Sequence, residues 1–452
     1  MFPPFPQFTA HHYIQKLIDD LDCGKVKIQQ ITEVSKERLG SGLMLGCLLA
    51  YDKKTNQRII LFALSGISRQ LIFADSENPY EITAQGEKFI IVPPLVSDEA
   101  INQALSKNDK KIHELTQLIK AGNKKLESQR SNLTTESLKN VFLLYDFTRF
   151  DGKKISLNQI INKKGKLPPT GTGDCSAPKL LEYAFSHNLE IISMDEVFYG
   201  KDSKNKKNGI SYGPCDERCG YILPSILGLE IMYRDSALCL INKESGLLSV
   251  PGRGPEKNDS AESRLKFLFP DTINQPAVHR LDMETSGLLL LAFDKKSHAF
   301  MNKEFEQGRV SKRYIAVLDG ILEKAPGLAS PKRGEKSGRI ELAFRLDPEN
   351  RPHQIYDEEN GKIGITEWKN LGLINYKGKK CTVVEFIPLT GRTHQLRLAA
   401  SHIKGFGLPI VGDSLYGNPQ PEQRLLLHCC HLEFRHPVSG QLMKFDCPPD
   451  FI

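Results

Sequence analysis

The residues with the clearest potential for chemistry begin with one carboxylate. Asp282 follows a His-Arg pair and precedes a Thr-Ser-Gly turn, and the apolar run 288–291 comes directly afterwards. A short apolar run bounded by turn residues predicts a buried strand, so Asp282 is expected at the rim of a core strand. A carboxylate held there can act as a nucleophile or stabilise positive charge. An Asp before Thr-Ser-Gly can also do no more than cap a turn.

Two further segments contain candidate site residues, one an arginine and the other a tyrosine. Arg392 follows a Thr-Gly turn in residues 388–397, and arginine pairs with carboxylates or phosphates through bidentate donors. Tyr314 lies near the start of residues 312–320, whose alternating pattern is typical of a strand. Taken alone, Tyr314 is equally well explained as a core residue of that strand.

Taken in their order along the chain, residues 279–291, 312–320 and 388–397 resemble the motifs of the RluA-type pseudouridine synthase family. Residues 408–417 and 424–428 resemble two more motifs, and the resemblance extends from about Tyr233 to residue 452. Residues 242–253 and 350–354 are similar to the branch that modifies a tRNA anticodon-loop uridine and a hairpin-loop uridine of 23S rRNA.

The chain departs from the family's pattern in two places. Residues 404–407 lengthen the loop before Leu408, and Ala399 stands where a His is more usual. Both departures concern RNA contacts near that loop and leave Asp282, Tyr314 and Arg392 in place.

The resemblance implies an enzyme that isomerises uridine to pseudouridine in structured RNA. The reaction detaches N1 of uracil from the ribose and rejoins the base through C5, so no cofactor is expected. Asp282 is the expected nucleophile, Arg392 its cationic partner, and Tyr314 the ring that stacks on uracil and assists proton abstraction. Loop uridines are the expected targets, because they leave their stack at the lowest cost. The alternative is a catalytically idle RNA-binding or ribosome-assembly factor on the same fold.

Contacts to RNA are expected from basic residues near these motifs, since arginine and lysine neutralise phosphates. The expected partner is an rRNA or tRNA stem-loop. For His279 and Arg280, bracing the loop before Asp282 is the other interpretation. The candidates are His279, Arg280, Arg253, Arg351, His394 and Arg397.

Three of the ten cysteines have a spacing that suggests a metal site in the N-terminal half. Cys175 precedes a predicted helix, and Cys215 and Cys219 follow about forty residues later. This arrangement resembles the zinc ligands of nucleobase deaminases, but Ala177 stands where those enzymes have a proton-shuttling Glu. The second pair is also spaced one residue wider, so an active deaminase is not expected. A structural zinc and plain thiols remain the two interpretations.

Composition limits the class of protein. The chain has 452 residues, 40% hydrophobic and 25% charged, with a net charge of +7. These values suit a soluble protein of two or three domains, and the modest positive charge permits RNA binding without requiring it. The sequence has no apolar run of membrane-spanning length, and its start has no signal-peptide character, so a cytoplasmic location without membrane contact is expected.

The elements that must position the candidates divide into two halves. Residues 226–452 are predicted to form the catalytic domain, an α+β fold on a large mixed, mainly antiparallel sheet. Residues 1–97 and 141–225 are predicted to form one discontinuous, smaller α/β domain. Residues 98–140 are predicted to be a helical arm inserted in it.

The arm prediction rests on an apolar repeat in a polar segment, with a break expected at residues 121–123. The arm either folds back on its own domain or contacts structured RNA or a ribosomal assembly intermediate. The repeat recurs every seven residues at Leu105, Ile112, Ile119, Leu126 and Leu133.

Overall fold

The computed structural model describes residues 5–30, 42–254, 257–329, 335–421 and 423–452. The chain divides into two units, Met1–Glu230 and Ile231–Ile452. They are nearly equal in length, 230 and 222 residues, and the N-terminal unit includes the segment predicted to be the arm. Across the described ranges, no helix combines the length and apolar character needed to cross a bilayer.

The described part of the N-terminal unit mixes helices with mostly short strands. Its helices are α1 (Phe8–Asp22), α2 (Asp98–Lys120), α3 (Glu127–Phe142), α4 (Leu157–Lys164), α5 (Ser176–Ser186) and α6 (Cys219–Leu227). Its strands are β1 (Val26–Gln30), β2 (Gly42–Asp52), β3 (Gln57–Leu64), β4 (Arg69–Phe73), β5 (Glu81–Ala84), β6 (Glu87–Ile91), β7 (Asp146–Thr148), β8 (Lys154–Ser156) and β9 (Glu190–Gly200).

A five-stranded sheet in the order β5-β6-β3-β2-β9 organises this unit. Side chains alternate along β2, so Leu45, Cys47 and Leu49 join the apolar core that includes Ile14 of α1. Gly46 faces α5 on the opposite side. A Cβ at Gly46 would lie 2.7 Å from Cβ of Ser176, so the missing side chain lets the start of α5 approach the sheet closely.

The predicted arm corresponds to two helices, α2 and α3, that pack against each other. Ser97 caps α2 by accepting a hydrogen bond from the Ala100 amide, and the chain turns at residues 121–123. The apolar side chains that recur every seven residues in this segment are half-buried, and Leu126 lies in the short 3₁₀ turn (Lys124–Leu126) between the two helices. These side chains are Leu105, Ile112, Ile119, Leu126 and Leu133.

The C-terminal unit is built mainly from strands, and β10 begins at its boundary. The strands are β10 (Glu230–Arg234), β11 (Leu238–Lys243), β12 (Ser286–Ala292), β13 (Ser311–Leu318), β14 (Ser337–Leu346), β15 (Gln354–Tyr356), β16 (Lys362–Tyr376), β17 (Lys379–Pro388), β18 (Leu427–Arg435) and β19 (Leu442–Asp446). The helices are α7 (Ala261–Leu268), α8 (Lys295–Glu306) and α9 (Gln395–Ser401).

These strands form one mixed sheet in the order β10-β11-β12-β18-β13-β17-β16-β14-β15, with β19 beside β18. Most neighbours are antiparallel, and β12 pairs with β18 in parallel. Every residue of β12 is buried, as the apolar run after Asp282 predicts. The α+β fold with a mainly antiparallel sheet is therefore confirmed.

The parallel junction between β12 and β18 requires a glycine. Gly287 pairs with Cys429 and has a φ of +112°, and a Cβ there would lie 2.4 Å from the Cys429 carbonyl oxygen. Tyr314 of β13 pairs with Cys429 from the other side. Gly287 and Tyr314 therefore pair with the same residue of β18. Gly287 closely follows residues 279–285, which are called the Asp282 loop below.

Candidate active site

The C-terminal unit contains a cleft of about 940 Å³ lined by the Asp282 loop, the start of β13 and the segment that leads into α9. Arg253 and Arg351 do not line it, and both are exposed. The cleft brings together seven of the nine site residues predicted for this unit, namely Asp282, Tyr314, Arg392, His279, Arg280, His394 and Arg397.

Backbone contacts hold the Asp282 loop on both sides. The Asp282 carbonyl accepts a hydrogen bond from the Thr285 amide at 3.1 Å. Ser249 Oγ lies 2.7 Å from the carbonyl oxygen of Leu281 and 3.0 Å from its amide nitrogen. The Asp282 side chain is half-buried, and within the described ranges its carboxylate makes no hydrogen bond or ion pair. The loop is therefore fixed while the carboxylate can meet a ligand.

A buried lysine supports the same loop. Lys243, the last residue of β11, is 1% exposed. Its Nζ donates to the carbonyl oxygens of Glu244 at 3.0 Å, Leu247 at 2.6 Å and Met283 at 3.1 Å. Burial lowers the pKa of Lys243 to about 7, and the charge of Asp282 opposes that shift. Sequence reasoning gave Lys243 no role, although a lysine ending an apolar strand was a usable signal.

Arg392 does not pair with Asp282. No ion pair within 4.0 Å joins these two residues, both of which the structure describes, and the Arg392 side chain is exposed. Its Nε donates to the Ile363 carbonyl at 3.4 Å, while its backbone amide donates to Oε1 of Gln395 at 3.0 Å. This bond fixes the turn with Arg392 on its outer side. The predicted pairing of Arg392 with Asp282 is therefore wrong.

Arg397 is the buried arginine of the cleft. Its Nε lies 2.9 Å from Oδ2 of Asp413 and its Nη2 lies 2.9 Å from Oε2 of Glu284. Burial would lower the pKa of Arg397, but the hydrogen bonds with Asp413 raise it, and Glu284 and Asp282 add to the rise. Two carboxylates already hold the guanidinium, which favours a structural role for Arg397, while its contact with RNA phosphates stays a prediction. Its bond to Glu284 ties α9 to the Asp282 loop.

His394 forms part of the cleft wall in a strained backbone conformation. It has φ 56° and ψ 18°, a left-handed conformation that is uncommon for a residue with a side chain. Its Nδ1 lies 2.7 Å from the Tyr416 hydroxyl, which also accepts a hydrogen bond from the Gln354 amide at 2.8 Å. Burial lowers the pKa of His394, although the charge of Asp282 opposes this. Tyr416, which sequence reasoning passed over, therefore links residues 350–354 to the cleft.

Tyr314 is a buried phenol on β13. Only 9% of the residue is exposed. Burial raises the pKa of Tyr314 well above 10, and the neighbouring Cys429 thiol and Asp282 raise it further. At physiological pH the hydroxyl therefore keeps its proton, so the phenol is poorly suited to act as a base.

His279 and Arg280 are neighbours with different environments. Nε2 of His279 accepts a hydrogen bond from the Leu290 amide at 3.0 Å, and its ring stacks on Phe305 with centroids 4.7 Å apart. Burial lowers the pKa of His279 to about 3, with a further contribution from Lys312. His279 thus braces β12 as a neutral ring. Arg280 is exposed on the cleft, and within the described residues its side chain has no hydrogen bond or ion pair.

Similarity to known proteins agrees with this geometry. Residues 237–402 match the family described as RNA pseudouridylate synthase. The dual-specificity RNA pseudouridine synthase RluA of Haemophilus influenzae is 39% identical over 226 residues, which cover 49% of this chain and 94% of that protein. This chain belongs to the RNA pseudouridylate synthase family. RluA of Escherichia coli is 36% identical with the same coverage.

Solved structures include similar chains as well. The human RNA pseudouridylate synthase domain containing 1 is 28% identical, covers 50% of this chain and 84% of its own, and has a TM-score of 0.39. The enzyme class of the present chain, an RNA pseudouridine synthase and hence an isomerase, follows from its family membership.

The N-terminal unit of this pseudouridine synthase brings the three predicted metal ligands together. The Sγ atoms of Cys175, Cys215 and Cys219 all lie within 4.8 Å of one another. Cys175 is the N-cap of α5, and Cys219 is the first residue of α6. The three thiols therefore meet where two helices begin.

Proposed function

We propose that the C-terminal unit converts uridine to pseudouridine with Asp282 as the nucleophile and without a cofactor. The observation that carries the proposal is the Asp282 carboxylate. It is half-buried in a cleft of about 940 Å³ on a fixed loop, and among the described residues no donor occupies it. A carboxylate in this position can approach the sugar or base of a uridine that has left its stack.

The proposed reaction is balanced without an external reactant. A carboxylate oxygen of Asp282 attacks C1′ of the ribose, and the N1–C1′ bond breaks with its electron pair leaving on uracil. The base turns, C5 bonds to C1′, and the carboxylate of Asp282 departs. C5 then loses its proton and N1 gains one, so the product is an isomer of the substrate and nothing is oxidised or reduced.

The positive charge near Asp282 comes from Lys243 and Arg397 in this proposal, in place of Arg392. Both are buried, and the charge of Asp282 acts to raise the pKa of each, against the effect of burial. A half-buried carboxylate loses hydration, and neighbouring positive charge compensates for part of that loss. Lys243 also holds the loop through the Met283 carbonyl, so it both positions and stabilises the nucleophile.

Tyr314 and Thr285 are proposed to contact the flipped nucleotide. The Tyr314 ring lines the cleft and offers an apolar face on which uracil can stack. Because its pKa lies well above 10, we assign it to stacking and not to proton abstraction. Thr285 also lines the cleft, and its buried Oγ1 has no hydrogen-bond partner within the described residues. It is therefore available to a polar atom of the substrate.

The proposed substrate is a uridine in a stem-loop of 23S rRNA, tRNA or both. The relatives with 36–39% identity are named dual-specificity RNA pseudouridine synthases. Flipping a uridine out of its stack costs a few kcal/mol, and this cost is lowest for a loop uridine, because less pairing is lost. Arg280 is the proposed phosphate contact on the cleft, with Arg253 and Arg351 as outer contacts. A cytoplasmic location and a contact of the α2–α3 arm with a ribosomal assembly intermediate belong to the same proposal.

Tritium release from stem-loop RNA labelled at C5 of uridine tests the reaction. We expect Asp282→Asn to lower the rate at least about 10³-fold while keeping RNA affinity within about threefold, since the change removes the charge and leaves the shape. Glu306→Gln is the matched control, because Glu306 is an exposed carboxylate of the same cleft. A rate for Asp282→Asn within about tenfold of the wild type would overturn the assignment. Binding without release by the wild type would indicate an idle factor.

A further inference from the structure

We propose that Cys175, Cys215 and Cys219 bind one Zn²⁺ through three thiolates, with the fourth coordination position open to a small ligand from solvent. The site belongs to the N-terminal unit and is independent of the isomerisation chemistry. Sulfur ligands in a tetrahedral arrangement are typical of zinc.

The separation of the sulfur atoms fits this ion. Zinc–thiolate bonds of about 2.3 Å at tetrahedral angles place sulfur atoms about 3.8 Å apart. The three Sγ atoms lie within 4.8 Å of one another, so small side-chain rotations bring them onto one ion. A disulfide would need a separation of about 2.05 Å and would leave the third thiol unpaired. A metal ion is the partner that uses all three sulfurs at once.

The first ligand is held by the docking of α5 on the sheet. Gly46 of β2 lets the start of the helix come close. The buried Glu196 carboxylate of β9 accepts hydrogen bonds from Ser176 Oγ and, at 3.2 Å, from the Ala177 amide. Because Cys175 directly precedes these two residues, its position is set by the sheet.

The second and third ligands are held by a tight turn before α6. The Gly220 amide donates to the Cys215 carbonyl at 2.9 Å. The Cys219 amide points at Cys215 Sγ from 3.5 Å. An amide donor directed at sulfur favours the thiolate, which is the form that binds metal.

The fourth position is open in this arrangement. Among the described residues, no other His, Cys, Asp or Glu belongs to the cluster. Cys215 is exposed and Cys175 is half-buried, so solvent reaches one side. Glu196, the neighbouring carboxylate, is engaged by the start of α5. A water molecule or a small thiol therefore completes the tetrahedron.

The zinc content of the full-length chain tests the proposal. The protein is purified under reducing conditions without a chelator, and zinc is measured by plasma mass spectrometry. We expect about one zinc ion per chain, falling at least about fivefold in Cys175→Ser and in Cys215→Ser. Cys23→Ser should retain the metal, because Cys23 is an exposed thiol of the same unit that lies outside the cluster.

A second measurement uses the wild-type chain, so that the test does not depend on whether the cysteine variants fold. The wild-type chain is stripped with a chelator and titrated with Co²⁺, which gives thiolate charge-transfer and tetrahedral d–d absorption bands when bound by sulfur. Appearance of both bands, and their loss on adding one equivalent of Zn²⁺, supports the site. Reduced wild-type protein that takes up neither ion overturns the proposal, and so does metal uptake that Cys215→Ser leaves intact.

Discussion

Arg397 and Asp413 form a buried bidentate ion pair, with Nε 2.9 Å from Oδ2 and Nη2 2.5 Å from Oδ1. The side chains are 2% and 0% exposed, respectively. The same Nη2 also reaches Glu284, two residues after Asp282. One guanidinium therefore connects α9, the segment after it and the loop of the proposed nucleophile.

Breaking this pair should destabilise the protein strongly. Arg397→Met leaves Asp413 buried without its cation, and removal of one partner of a buried pair costs roughly 3–5 kcal/mol. We expect that loss in the free energy of unfolding measured with urea. Arg392→Met is the matched control, because Arg392 is exposed and pairs with no carboxylate within the described residues, and it should stay within about 0.5 kcal/mol of the wild type. Equal losses in the two variants would contradict the distinction between these arginines.

Lys243 should make stability depend on pH. Its folded-state pKa of about 7 lies below the ordinary value of 10.5, so between these values the unfolded chain binds more protons than the folded one. Stability then rises with pH across that window, and below about pH 7 the contribution is constant. We expect the difference in free energy of unfolding between wild type and Lys243→Met to grow from about pH 7 to about pH 10.

The control for this experiment is Lys303→Met, since Lys303 is exposed on α8. The difference in free energy of unfolding between Lys303→Met and the wild type should not change with pH over the same range. A flat difference for Lys243→Met as well would mean that Lys243 keeps its proton at an ordinary pKa.

Arg280 and His279 should differ in their effect on RNA binding. Each phosphate contact adds roughly one unit to the slope of log affinity against log salt. Arg280→Ala should reduce that slope by roughly one, measured by fluorescence anisotropy with a labelled stem-loop. His279→Gln should leave the slope unchanged, because burial keeps this ring neutral. A similar reduction in both variants would assign His279 to the RNA contact.

Ionisation of Tyr314 should not contribute to the pH dependence of the reaction rate. Its pKa lies well above 10, so its ionisation falls outside the range in which the rate is measured. We expect the profiles of wild type and Tyr314→Phe to have the same shape between about pH 6 and pH 9, whatever the change in rate. If the wild-type rate changed with pH in a range where the rate of Tyr314→Phe did not, Tyr314 would instead be assigned as the base that abstracts the proton.

The local sequence pattern was sufficient to predict some elements of this fold. The apolar run after Asp282 forms the buried strand β12, and the polar segment that carries the seven-residue repeat forms the α2–α3 hairpin. Both features depend on residues close together in the chain, where periodicity carries the information.

The choice between the two arginines could not be made in this way. Arg392 and Arg397 lie five residues apart, and which of them is buried depends on distant partners. The partners of Arg397 lie 16 residues later, at Asp413, and 113 residues earlier, at Glu284. Lys243 is similar, since its burial depends on a carbonyl 40 residues away, at Met283. Sequence spacing does not encode these long-range bonds.

The shared pairing of Gly287 and Tyr314 with Cys429 has a consequence for precision. Because β12 and β13 both pair with Cys429 of β18, the Asp282 loop and the Tyr314 ring are positioned relative to the same residue. A side chain at position 287 would meet the Cys429 backbone and push β12 away from β18, so the width of the cleft depends on this residue being a glycine.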